Sequence, residues 1–149
     1  MKKLFLVSVL LSGIGMLLIT SLVVMSCRSD DEKDIEQNVS ALYGRWVLQG
    51  YVSKGNFISY ENSGAGECYL ILEKDGKFNG QFCNQLQGEY SSNKKGEFHI
   101  LSCFSTQVWS TDSDLMFMED QIMIIRSFEL EGNDLRLYYS TNDYLKFSR

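Results

Sequence analysis

Cys68-Tyr69-Leu70-Ile71-Leu72-Glu73-Lys74-Asp75-Gly76-Lys77-Phe78-Asn79-Gly80-Gln81-Phe82-Cys83 is the stretch that decides the fold. Two apolar and β-favouring runs, 68–74 and 77–83, flank Asp75-Gly76. Asp-Gly accepts the left-handed backbone of a two-residue type I′ turn, so the segment predicts a β-hairpin. Outward from it the same punctuation repeats. Runs 86–91 and 97–103 flank Asn93-Lys94-Lys95-Gly96, runs 128–131 and 135–139 flank Gly132-Asn133-Asp134, and 144–147 follows Thr141-Asn142-Asp143. Residues 45–52, rich in aromatic and β-branched side chains, form the first strand, and polar 56–66 reads as a loop. Proline is absent throughout. The pattern predicts a mainly β fold: a small antiparallel barrel or sandwich of about eight short strands.

One segment has a different period. Leu115, Met118, Ile122 and Ile125 recur at helical spacing, which predicts a helix over about 113–125. Ser110-Thr111-Asp112-Ser113 offers capping side chains, and Asp112 and Asp114 suit the positive end of the helix dipole. Such a helix covers an end of the sheet. Met116, Met118 and Met123 read as core filler.

The chain has 149 residues and a formal charge of −5. Residues 1–26 contain two lysines and no acid, so the remaining 123 residues carry 12 Lys+Arg against 19 Asp+Glu, or about −7. Eighteen of those 123 are Phe, Tyr or Trp, too aromatic a composition for a disordered chain. An acidic body without clustered Lys/Arg argues against a nucleic-acid partner.

Met1-Lys2-Lys3 is a short cationic start, followed by about 21 uncharged residues, 4–24. That length also suits an uncleaved membrane anchor. The segment ends Val24-Met25-Ser26-Cys27, which resembles the lipobox of bacterial lipoproteins, with Met25 the departure. The resemblance implies a signal peptide over 1–26 and lipidation of Cys27, with diacylglycerol and palmitate-like chains anchoring the protein to a membrane. Residues 27–41 then read as an acidic tether. Their acidic run resembles the export signal of surface lipoproteins in Bacteroides-like bacteria, with Arg28 intervening. The implied location is the bacterial cell envelope, at the outer membrane, with the periplasmic and surface faces both open.

Asn79-Gly80-Gln81-Phe82-Cys83-Asn84-Gln85-Leu86-Gln87-Gly88-Glu89-Tyr90 resembles the G-x-x-G-C-N-x-x-x-G-x-Y signature of META domains, found in HslJ-like envelope lipoproteins. Ser105-Thr106-Gln107-Val108 resembles the family's S-T-x-M element. The stretch 128–137 resembles its closing strands, and Leu42-Tyr43-Gly44-Arg45-Trp46 its opening tryptophan. Phe82 and Ser110 depart from the pattern, standing where a glycine and a second cysteine are usual. The resemblance covers nearly all of 42–147 and implies a small lipocalin-like antiparallel barrel over 42–149. It implies no catalytic residue. From the residues themselves, Gly80 and Gly88 suit close strand approach, Trp46 fills the base of a barrel, and Asn84 bridges a turn.

With Cys27 lipidated, Cys68, Cys83 and Cys103 remain, and an oxidising envelope favours one disulfide including Cys83. A two-residue loop at Asp75-Gly76 would set Cys68 directly opposite Cys83. Cys103 on a neighbouring strand is the rival partner, and both pairings stay open.

Catalytic candidates are few. His99 is the single histidine and alternates with Phe98 and Ile100, facing solvent. No metal-ligand, nucleophile or phosphate-loop motif stands out, so no enzyme, cofactor or metal is expected. Two functions fit: a non-enzymatic interaction or stress-resistance module contacting an envelope protein, or a lipocalin-like carrier of a small apolar ligand. Tyr138, Tyr139 and Tyr144 gather near the last hairpin as a candidate contact patch. Tyr138 and Tyr139 must face opposite sides of their strand, and the outward one joins Tyr144.

Overall fold

Residues 38–60, 66–107 and 110–149 are described in the computed structural model, all within one unit spanning Asp34–Arg149. Cys27, the apolar leader and the tether through Gln37 lie outside them. Alternating apolar and polar residues build strands β1 (Gly44–Ser53), β2 (Asn56–Ser59), β3 (Tyr69–Leu72), β4 (Lys77–Gln81), β5 (Gln85–Ser92) and β6 (Phe98–Ser105). Strands β7 (Ser127–Glu131), β8 (Asp134–Tyr138) and β9 (Tyr144–Ser148) follow, with helices α1 (Val39–Leu42) and α2 (Ser113–Ile122).

All strand pairs are antiparallel, in the order β6-β5-β4-β3-β1-β9-β8-β7, with β2 paired to β1 off this path. The sheet curls into a half-barrel. Its two ends meet at a Glu97–Ser127 bridge, where Phe98 N–H donates to Arg126 O (3.0 Å) and Phe128 N–H to Gly96 O (2.8 Å). Joining the end strands there removes part of the open edge that a free sheet would present. Beyond the bridge, α2 provides the connection from β6 to β7 and buries Leu115, Met118 and Ile122 in the common core.

Trp46, Phe78, Phe82, Phe98 and Phe147 fill the interior, each no more than 2% exposed. Trp46 sits at one end of it. Its indole N–H donates to Leu42 O at 2.8 Å, which satisfies the one polar group that burial would strand. The Arg149 guanidinium lies 4.1 Å from the ring centroid and donates to Ala41 O. The turn of α1 and the last residue thus clamp the tryptophan from two sides.

Gly88 is needed where β4, β5 and β6 crowd. A Cβ there would lie 2.0 Å from Ser102 O and 2.9 Å from the Phe78 ring. No side chain fits.

Four expectations are corrected. The Asp75-Gly76 hairpin has a three-residue loop: Gly76, at φ +86°, donates to Glu73 O, while Glu73 N–H bonds Lys77 O. The register runs Tyr69↔Gln81 to Leu72↔Phe78, one residue away from the register that would oppose Cys68 to Cys83. A two-residue turn does occur, at Lys54-Gly55 with φ 52° and 78°, and it makes β2 out of the expected loop. Lysine in the left-handed region is an uncommon first turn residue, which hid it from the sequence. The helix stops at Ile122, where Ile124 N–H closes a turn on Gln121 O, although Ile125 is buried as its spacing predicted. Of the three methionines only Met118 is core; Met116 and Met123 are exposed.

Candidate functional site

The signature residues converge on one junction. Cys83-Asn84 lies in the bend between β4 and β5, Ser105-Thr106 ends β6, and Glu119 reaches both from α2. Asn84 donates its backbone N–H and its side-chain Nδ2 to the two oxygens of Glu119, each at 2.9 Å. Ser105 Oγ donates to the same carboxylate at 3.1 Å. Gln85 N–H donates to Thr106 Oγ1 (3.0 Å), and Thr106 N–H returns to Gln85 O (3.1 Å). Phe82 N–H bonds Asn84 O at 2.9 Å, so the bend is closed by the backbone, while the Asn84 side-chain amide, expected to bridge the turn, reaches Glu119 and Thr106 instead. Hydrogen bonds to a carboxylate are the stronger kind, so this knot locks the helix to the barrel mouth. Its roles are structural: every named polar group answers another.

Asp112 caps α2 by accepting from Asp114 N–H (3.1 Å) and Leu115 N–H (3.0 Å), as its position implied. Phe117 packs against Tyr51 and Tyr139, with centroids at 4.9 and 6.0 Å.

Cys68 is a buried free thiol beside Tyr60, at 3.3 Å from its hydroxyl, and Cys103 is a half-buried free thiol. Neither is bridged to Cys83, whose place in the bend follows from the shifted register. Burial pushes the Cys68 thiol up despite the Tyr60 hydrogen bond, and burial with Glu119 does the same at Cys103. Protonated thiols are poor nucleophiles. His99 faces solvent on β6. Among the described residues no three His, Cys, Asp or Glu side chains gather as a metal site.

The tyrosines divide as strand geometry requires. Tyr139 turns towards α2 and donates to Val52 O. Tyr138 and Tyr144 pair across β8 and β9 on the outer wall, rings 5.1 Å apart. Tyr138 donates to Glu129 Oε2 at 2.8 Å, and burial followed by that carboxylate pushes its phenol up. Arg136 bonds Glu129 (2.9 Å) and Glu131 (2.7 Å) and lies 5.6 Å from the Tyr144 ring centroid. Arg136 and Glu129 escaped the sequence reading. The two-residue Gly132-Asn133 loop sets them opposite each other, so counting back from that turn would have found them.

Two shallow depressions lie on the outer wall of β3–β6. One of about 500 Å³ is lined by Tyr69, Ile71, Asn79, Gln85, Gln87 and Phe104, among others. The other, about 280 Å³, shares Asn79, Gln87 and Phe104 with it.

Comparison with known proteins agrees with this architecture. Curated proteins give no match. A protein solved by NMR is 18% identical over 71% of this chain and 88% of its own, with a TM-score of 0.56. A second NMR structure, of a protein from Burkholderia xenovorans, is 16% identical over 74% of this chain and 85% of its own, at 0.57. The crystal structure of a duf4847 family protein from Bacteroides vulgatus is 16% identical over 70% and 91%, at 0.53. At such identity these likenesses speak for the fold. The META domain family model matches residues 37–149, and the chain belongs to the META domain family.

Proposed function

We propose that this META-domain protein is a lipid-anchored component of the bacterial envelope that works by binding another envelope protein and not by catalysis. The carrying observation is the outer wall of β7–β9. There Tyr138 and Tyr144 stand as an outward pair pinned by Glu129 and Arg136. Tyrosine and arginine held in fixed rotamers supply contact area at little entropic cost, the pattern of binding hot spots. A lipocalin-like carrier of an apolar ligand finds less support, because the barrel interior is occupied by its own aromatic side chains. Attachment through lipid on Cys27 fits this reading: two or more acyl chains hold a protein stably at a membrane, where its outer wall meets neighbours.

Tyr138→Ala with Tyr144→Ala tests the surface. The pair of substitutions is expected to abolish pull-down of the envelope partner. The domain should still unfold cooperatively, at a somewhat lower melting temperature because the half-buried ring pair and the Tyr138–Glu129 hydrogen bond are lost. Undiminished pull-down overturns the reading.

A further inference from the structure

The outer wall opposite the tyrosine pair carries its own chemistry. Strand register places Ile71, Asn79, Gln87 and Phe104 in one row across β3, β4, β5 and β6. Tyr69 and Gln85 stand in the next row, joined through Gln81. The two depressions share Asn79, Gln87 and Phe104, so together they make a continuous trough longer than either.

Its composition is selective. Amides line the floor, and an amide offers both donors and acceptors. Among the described residues the Gln85 and Gln87 side chains bond no other group, whereas Asn79 is fixed by donating to Glu73 Oε1 at 2.8 Å. Phe104, 68% exposed, presents an aromatic surface beside them. The Tyr69 ring is held by the Arg45 guanidinium 3.9 Å from its centroid, and Arg45 is paired with Glu67. At the other end Lys77 and Glu89 face each other across β4 and β5. The larger depression has no formal charge on its lining. The two cations beside the trough are each paired, Arg45 with Glu67 and Lys77 with Asp75, and Glu73 and Glu89 leave the Lys77 end net acidic.

This combination fits one ligand class best. A phosphate or carboxylate ligand would need an unpaired cation, and an apolar ligand would leave the amides unsatisfied. An extended peptide would seek the unpaired backbone of a strand edge, but Asn79 and Gln87 lie on interior strands of the sheet. A sugar chain has what the trough lacks: hydroxyls that both donate and accept, and C–H-lined pyranose faces that lie against aromatic rings. The geometry points to a binding site for a neutral oligosaccharide on the outer wall of β3–β6, independent of the Tyr138–Tyr144 surface. Aromatic contact would come from Phe104 and Tyr69, and hydroxyl recognition from Gln85 and Gln87. The shared length of the two depressions favours a chain of several sugars over a single ring.

The test is calorimetric titration of the full-length protein in detergent with neutral glucan, mannan and N-acetylglucosamine hexasaccharides. At least one should bind. Phe104→Ala and Gln87→Ala should each weaken it about tenfold or more with an unchanged melting temperature, since both side chains are exposed. Tyr138→Ala should leave this binding unchanged, so the outcome is read apart from that of the protein-contact surface. No binding of any of the three at millimolar concentration overturns the proposal. So does binding that survives both substitutions, or that tracks an acidic sugar or a peptide in a competition arm.

Discussion

Glu119 on α2 grips Asn84 at two points, the backbone N–H and the side-chain amide, each 2.9 Å from one oxygen of the carboxylate. A single helix residue therefore secures the bend that carries the family's Cys-Asn signature. Ser105, from the second signature element, bonds the same group. The two sequence signatures are linked because they share one carboxylate.

Removing that carboxylate should loosen the helix and the bend together. Glu119→Ala is expected to cost about 2 kcal/mol in urea unfolding, the scale of lost charge-assisted hydrogen bonds. Glu119→Gln, which keeps one acceptor, should cost less. Hydrogen exchange at the Asn84 amide should accelerate in Glu119→Ala, and an unchanged rate there would contradict the role.

Gly88→Ala should destabilise the barrel by about 2 kcal/mol, because its Cβ meets the Ser102 carbonyl in a neighbouring strand and the buried Phe78 ring. Gly132→Ala is a useful contrast: nothing lies within 4 Å of its Cβ, and only its φ of +60° opposes the change. Equal denaturation midpoints for wild type and Gly88→Ala would refute the crowding.

Alkaline pH should unfold the domain through its tyrosines. Burial, followed by the neighbouring Tyr43, Asp75 and Glu73, pushes the Tyr90 phenol up to about 12. Burial, then Asp143, does the same for Tyr139. An unfolded tyrosine ionises near 10, so the folded state holds these protons more tightly. Their contribution is complete below about pH 10 and is lost as pH rises towards 12. The melting temperature should fall across that interval, with phenolate absorbance appearing in step with unfolding. Free ionisation of every tyrosine near 10 in the folded protein would contradict it.

Mass spectrometry of protein isolated from membranes should find the mature chain beginning at an acylated Cys27. Cys27→Ala should accumulate as a precursor of altered mobility. An intact Met1 with no lipid would remove the anchor from the account.

Much of the fold was legible because turn chemistry and strand alternation are local. Asn93–Gly96 and Gly132–Asn133 marked their hairpins, and Trp46 and Asp112 occupy the roles their types implied. The first hairpin was placed correctly but misregistered. Asp75-Gly76 serves either a two-residue turn or, with Lys74, a three-residue turn closed by left-handed Gly76, and side-chain periodicity does not separate them. That one-residue difference removed the geometric case for opposing Cys68 to Cys83. Glu119 stayed invisible because its partners lie 35 residues before it and 14 residues before it in sequence. Only the curled sheet brings them together. Arg136 and Glu129, by contrast, were within reach of simple counting from the Gly132-Asn133 turn.

The central claim is that the domain acts by contact through the outer wall of β7–β9. It is tested most directly by photo-crosslinking in intact cells. A crosslinking amino acid is placed at Tyr144, and in a second strain at Gln87 on the opposite wall. The account predicts one discrete envelope-protein adduct from position 144, absent from position 87 and lost with Tyr138→Ala. No protein adduct from position 144, or the same adducts from both positions, would contradict it.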